Sequence, residues 1–255
     1  IFRETGDQNR EGKATNNLAN ILAGSTDFSG AERSFRRALQ LARETGDRDS
    51  ELFATANLGD CYRSLGRFAE AREWLMRAGH LARQLEHKRS QSYLNGMLAQ
   101  LEVQSGNYGA AQQYLVEAVR IAEETDEHLS RLSLLGHLCA LCWTMGQLER
   151  ALAAAQDEEK VALWTGDKAH LANGLLAQVH LQLILGNVSA LTAVGERLRP
   201  IAEDDSIPAL QIQAMAMCRR MQSEWARRQP LPSAWADGGL AAAGGDEQDA
   251  IARTY

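Results

Sequence analysis

Positions forty residues apart repeat one another through most of this chain, and that period restricts its fold more than any other feature. Leu18, Leu58, Leu98 and Leu138 share one column, and Gly66, Gly106, Gly146 and Gly186 share another. A third column is Phe28, Phe68, Tyr108, Leu148 and Val188; a fourth is Ala31, Ala71, Ala111 and Ala151, ending in Leu191. Leu41, Leu81, Ile121, Val161 and Ile201 make a fifth, each followed by alanine. The register holds through five copies without an insertion. A fixed period of this size marks a solenoid, in which each supersecondary unit covers the apolar face of the next.

Each copy divides into two helical patterns around its glycine. Between residues 51 and 65, Phe53, Leu58, Cys61, Tyr62 and Leu65 recur at intervals of three and four, and Ala71, Trp74, Leu75, Ala78, Leu81 and Ala82 do so in the second half. That spacing is helical, and the intervening glycine stops the first helix. Small residues at Gly59, Ala71 and Ala78 let two axes approach, while Leu58, Tyr62, Phe68 and Leu75 fill the space around them, so the helices are expected to pack as an antiparallel pair.

Leu58, Gly59, Tyr62, Ala71, Leu75 and Ala78 stand at the internal spacing of the tetratricopeptide repeat, and the chain resembles that family up to about residue 203. Two departures are the forty-residue period, longer than the family's usual one, and the absence of its Trp and Pro. Copies with N-L-G and L-G-x-F-x-E-A are similar to the subclass found in spindle-orientation scaffolds and in sensor arms of bacterial signalling ATPases. The resemblance implies an all-α fold, a right-handed α-solenoid of antiparallel helix pairs, and a protein-binding function in a larger signalling protein. A structural spacer or oligomerisation rod is the alternative reading, and a small-molecule sensor a third.

Residues 1–8 repeat residues 41–48, so the start is expected to be the tail of a truncated preceding repeat. Repeats are then expected at 9–48, 49–88, 89–128, 129–168 and 169–206. Pro200 falls within the last second helix and is expected to kink or shorten it. Ala209, Ile212, Met215, Met217, Met221 and Trp225 predict a capping helix over 207–229, and the Pro- and Gly-rich 230–255 reads as a flexible tail or linker.

The formal net charge of −6, with basic residues spread among Glu and Asp, argues against nucleic acid as a partner, which demands clustered Lys and Arg. No apolar run reaches the roughly 20 residues of a membrane span, and a cytoplasmic setting is expected. Cys61 and Cys139 fall in apolar or small-residue columns and are expected in the core. Cys139 and Cys142 form a C-x-x-C near His137, but only His180 offers a further ligand from a neighbouring helix, so no metal site and no cofactor are expected. Phosphate-loop, nucleophile-elbow and H-E-x-x-H motifs do not occur, the six histidines fall in different columns, and no enzymatic role is expected.

The resemblance implies a concave groove lined by the first helix of each pair. On the family's groove positions stand Lys13, Asn16 and Asn20, then Phe53, Asp60 and Arg63, then Tyr93, Gln100 and Gln104, then Trp143 and Thr144. The fifth copy adds Asn173, Leu176, His180, Leu183 and Ile184. Amides pair with an extended backbone and aromatic rings receive side chains, so the implied ligand is a protein or peptide segment. The family's chaperone-binding members clamp a terminal carboxylate with Lys and Arg at two of these positions. Here they hold Asn16 and Asn20, Ala56 and Asp60, and Gly96 and Gln100, so that clamp is not expected.

Overall fold

The computed structural model of the chain describes residues 7–202, which form ten α-helices. They are α1 (Gln8–Gly24), α2 (Phe28–Thr45), α3 (Arg48–Ser64), α4 (Phe68–Gln84), α5 (Lys88–Gln104), α6 (Tyr108–Glu124), α7 (His128–Thr144), α8 (Leu148–Thr165), α9 (Lys168–Leu185) and α10 (Val188–Ala202). Odd-numbered helices are the first of each pair. Ile1–Val194 is one compact unit, and the described part of the other, Gly195–Tyr255, is the end of α10. The expected capping helix over 207–229 and tail over 230–255 lie outside the described residues, as does most of the truncated leading repeat.

The glycine column makes the corner within each pair. Gly66, Gly106, Gly146 and Gly186 have φ between 70 and 78°, a left-handed conformation that costs glycine least. The residue after each glycine donates its N–H five residues back, as in Arg67 N to Tyr62 O at 2.9 Å and Asn107 N to Glu102 O at 2.8 Å, which closes the helix end. Thr26 takes the same conformation at the first corner, with φ 65°. Corners between pairs repeat it with Gly46, Glu86, Asp126 and Gly166. Asp7, Asp27, Asp47 and Asp167 then cap the next helix by accepting from a backbone N–H three residues on. Helix α10 carries Pro200 inside it, where the missing N–H removes one backbone donor.

The alanine column is the axis of each pair: Ala31, Ala71, Ala111 and Ala151 are fully buried. At Gly59 a Cβ would sit 2.7 Å from Leu75 Cγ, so glycine alone permits the approach of α3 to α4. Leu58 and Leu98 are buried, whereas Leu18 in the same column is 51% exposed, because no described pair precedes α1. Neighbouring first helices touch one another at α1–α3, α3–α5 and α7–α9, while no comparable contact joins one second helix to the next among the described residues. The first helices therefore approach one another more closely than the second helices do within Ile1–Val194, and together they present one first-helix wall.

Between pairs, the apolar middle is flanked by polar staples whose positions repeat while their chemistry changes. Residues 32, 62 and 67 are Glu32, Tyr62 and Arg67: the Tyr62 hydroxyl donates to Glu32 at 2.8 Å and Arg67 lies 4.6 Å over the Tyr62 ring. Forty residues on, Arg72 grips the buried Glu102 through two bonds of 2.7 and 2.9 Å, and Asn107 donates to the same carboxylate. Next, Gln112 donates to Gln147 at 2.7 Å beside Cys142. The fourth set is Leu152, Gln182 and Asn187; leucine offers no donor, and the enclosed Gln182 Oε1 has no partner. At the opposite corner Arg43 binds Glu51 at 2.9 Å, and Arg131 and Glu123 repeat the pair at 3.0 Å with the charges exchanged. The second helix of repeat 4 carries Leu163 there, facing Leu171 in sequence register. Such heterogeneous staples make each junction fit its own neighbour and oppose slippage by a whole repeat.

Candidate functional site

Two hollows open on the first-helix wall. One, of about 420 Å³, lies between α1 and α3 and is lined by Lys13, Asn16, Phe53 and Asp47, with Ala38 of α2 beneath. Lys13 is held by Asp47 at 3.3 Å, and Asn57 of α3 donates to Asn16 of α1 at 3.2 Å, so both expected polar residues are already tied to the scaffold. Phe53 is 51% exposed at the rim. The second hollow, of about 370 Å³, lies between α5 and α7 and is lined by Gln100, Gln104, Tyr108, His137 and Thr144. Both glutamines are exposed.

Between the hollows, Arg63 closes on Asp60 one turn away, with Nε and Nη2 at 2.9 and 2.7 Å from one carboxylate oxygen. Tyr93 of α5 stands beside them, 63% exposed. Local burial pushes its phenol pKa up, the Asp60 charge adds to this, and Arg63 opposes it, which places the hydroxyl near that ion pair. Further along, the Trp143 and His180 rings are tilted against each other at 5.7 Å. Asn20 and Asn173 are exposed but line neither hollow. Leu176 is buried and Ile184 is 56% exposed. The expected polar and aromatic positions thus separate into two hollows, an intrahelical ion pair beside a tyrosine, a ring pair, and two exposed amides.

Cys61, Cys139 and Cys142 are buried free thiols, and Cys218 lies outside the described residues. Burial pushes the Cys139 thiol up to about 11, with the nearby Glu158 adding to the shift, so it is a poor nucleophile at neutral pH. Among the described residues no three His, Cys, Asp or Glu side chains converge as metal ligands, and no helix is long and apolar enough to cross a membrane.

Glu158 is the residue that the sequence reading missed. It sits on the second helix α8, in the column of Ala38, Ala78 and Ala118, and is buried. Burial pushes its carboxyl up to about 7, with His170 opposing and Asp167 adding. The only available signal was a carboxylate in a column otherwise alanine in three copies. Glu159 beside it is also buried and accepts from the buried Gln178 at 2.7 Å.

Tetratricopeptide repeat models match residues 10–83 and 92–125. No curated protein matches the sequence. Among solved structures, BtubC (BKLC) from P. vanneervenii is 18% identical with a TM-score of 0.66, over 91% of this chain and 87% of that one. The Pyrococcus horikoshii Signal Transduction ATPase with Numerous Domains (STAND), described with a tetratricopeptide repeat sensor, is 12% identical with a TM-score of 0.73; 88% of this chain matches 34% of it. A Rap protein in complex with Competence and Sporulation Factor is 16% identical with a TM-score of 0.60, over 87% of this chain and 66% of that one. At these identities the likeness is one of fold. Residues 10–83 and 92–125 are therefore tetratricopeptide repeats, and the same left-handed corners and paired helices continue through the rest of the unit to Val194.

Proposed function

We propose that this chain is a binding module whose first-helix wall receives an extended protein or peptide segment, and that it serves as the sensor or scaffold part of a larger bacterial signalling or regulatory protein in the cytoplasm. Binding is its role, with no catalysis of its own. The observation that carries this reading is the exposure of Phe53 and Tyr93, 51% and 63%, on a wall that also presents the free amides Asn20, Gln100 and Gln104. Aromatic rings supply contact area with little entropy to lose, and amides match the alternating donors and acceptors of an extended backbone. The use of such an array as a sensor in the Pyrococcus ATPase, and the Rap complex with its factor, support the same assignment.

Alanine at Asn20, Arg63, Tyr93 and Gln100 together tests it. Loss of partner capture with an unchanged sedimentation coefficient is expected; retained capture with altered self-association sinks the reading. A rod or oligomerisation role has one observation in its favour. Trp164, Leu163 and Leu129 are 72%, 60% and 70% exposed around the His128–Trp164 ring contact at 4.2 Å. If that role is the main one, Trp164→Ala rather than the wall variant changes the assembly state.

A further inference from the structure

Glu158 is 3% exposed, and among the described residues neither a hydrogen bond nor an ion pair reaches its carboxylate. Leaving such a group without a partner is costly. At Gly136 on α7 a Cβ would lie 3.5 Å from Oε1 and 3.7 Å from Oε2, in ordinary contact with the carboxylate, while Gly174 on α9 lets the backbone of α8 approach, since a Cβ there would lie 3.0 Å from Ala155 O and 3.2 Å from Glu159 N. With no side chain of its own, Gly136 leaves its backbone beside the carboxylate in the seam between α7 and α9.

Repeat equivalence locates the carboxylate. In the first hollow, Ala38 forms the floor between α1 and α3, and Asn16 forms its wall. Glu158 occupies the column of Ala38, and Gly136 that of Asn16. The carboxylate therefore rises from the floor of the corresponding seam toward the first-helix wall. Among the described residues the enclosed polar atoms without partners are Arg131 Nε and Gln182 Oε1; the Glu158 oxygens are not among them and keep a narrow contact with solvent. The groups facing it are Cys139 from α7, and Asp167 and His170 from the start of α9, which bind each other at 3.1 Å. None of them is a cation free to pair with it.

We propose that Glu158 anchors a cationic side chain of the wall's ligand, a guanidinium or ammonium group entering the seam between α7 and α9 beside Gly136. This rests on the wall being the ligand surface. A cation there gains a charge-assisted hydrogen bond in low-dielectric surroundings and relieves the unpaired carboxylate at the same time. Discrimination arises because a neutral side chain of equal length leaves the carboxylate unpaired. Because the cation prefers the ionised carboxylate, affinity rises with pH through the range in which Glu158 loses its proton. With that carboxyl at about 7, binding at pH 5.5 is expected to be roughly tenfold or more weaker than at pH 8.

The test uses the whole chain and n-butylguanidinium, with neutral n-butylurea as its counterpart, followed through the amide NMR signals of Gly136, Glu158 and Gly174. Saturable shifts of these amides by butylguanidinium at pH 8, at least tenfold weaker at pH 5.5 and lost in Glu158→Gln, are expected. Equal shifts from butylurea, or shifts that survive in Glu158→Gln, overturn the proposal. In a second arm, peptides selected on the chain from a random library are measured with each basic residue replaced by norleucine. A loss of tenfold or more on the native chain, and less than twofold on Glu158→Gln, supports the anchor. Peptides whose binding needs Tyr93 but no basic residue overturn it while leaving the wall reading intact, and peptides indifferent to Tyr93→Ala and Phe53→Ala overturn the wall reading itself.

Discussion

Replacing Glu158 with alanine restores the residue found at Ala38, Ala78 and Ala118, and the structure sets both the size and the pH dependence of the effect. Burial moves this carboxyl from 4.5 to about 7, which corresponds to about 3 kcal/mol between the two ionisation states. The folded chain holds this proton more tightly than the unfolded chain. Its contribution is therefore fully present below about pH 4.5, is lost as pH rises toward 7, and leaves the whole penalty in place above that. Alanine has no such dependence, but it leaves a small void against Gly136, with a cost on the order of 1 kcal/mol at every pH. The variant should gain about 2 kcal/mol at pH 8 and lose its advantage at pH 5. Urea denaturation of both chains at the two pH values, followed by circular dichroism, measures the difference. An advantage of the same size at pH 5 and pH 8 refutes the reasoning, since the void is insensitive to pH and the carboxylate is not.

The staples and corners give further expectations. Arg72→Met leaves the buried Glu102 with Asn107 alone and should cost about 3 kcal/mol in a denaturation experiment at neutral pH. The same variant should flatten the acid limb, because Arg72, aided by Asn107, holds that carboxyl below its ordinary range and its contribution is lost as pH falls through the depressed value. Glu86→Gly and Asp126→Gly relieve left-handed backbone at φ 55° and should each add about 1 kcal/mol to stability, with Thr26→Gly adding at least as much because its side chain is β-branched. Gln182→Leu removes the orphaned acceptor at the fourth junction and should stabilise by about 1–2 kcal/mol, most visibly as slower amide exchange in α9.

The period, the helix pairs and the four glycine corners were legible in the sequence because each is written in the same residue type at the same interval. Other features follow the backbone rather than the side chain. Thr26, Glu86 and Asp126 adopt the corner conformation without glycine, so a search for glycine passes over them. The staples were invisible for a related reason: Glu32, Arg72, Gln112 and Leu152 share one position and no chemistry. The wall residues follow from the family's pattern, yet the pattern does not reveal that Lys13, Asn16 and Arg63 are bound to Asp47, Asn57 and Asp60, which leaves Phe53, Tyr93, Asn20, Gln100 and Gln104 as groups open to a ligand. Glu158 escaped because the family's groove positions lie on first helices, whereas this carboxylate comes from a second helix and is buried beside Gly136.

Site-specific photo-crosslinking tests the central claim most directly. A benzophenone amino acid placed at Tyr93, exposed on the first-helix wall, is compared with one at Val116, which is 52% exposed on the second helix α6. The account predicts that the partner crosslinks through position 93 and not through position 116, and that the Tyr93 signal falls when peptides selected on the wall compete. Crosslinking through position 116 with none at position 93 contradicts it.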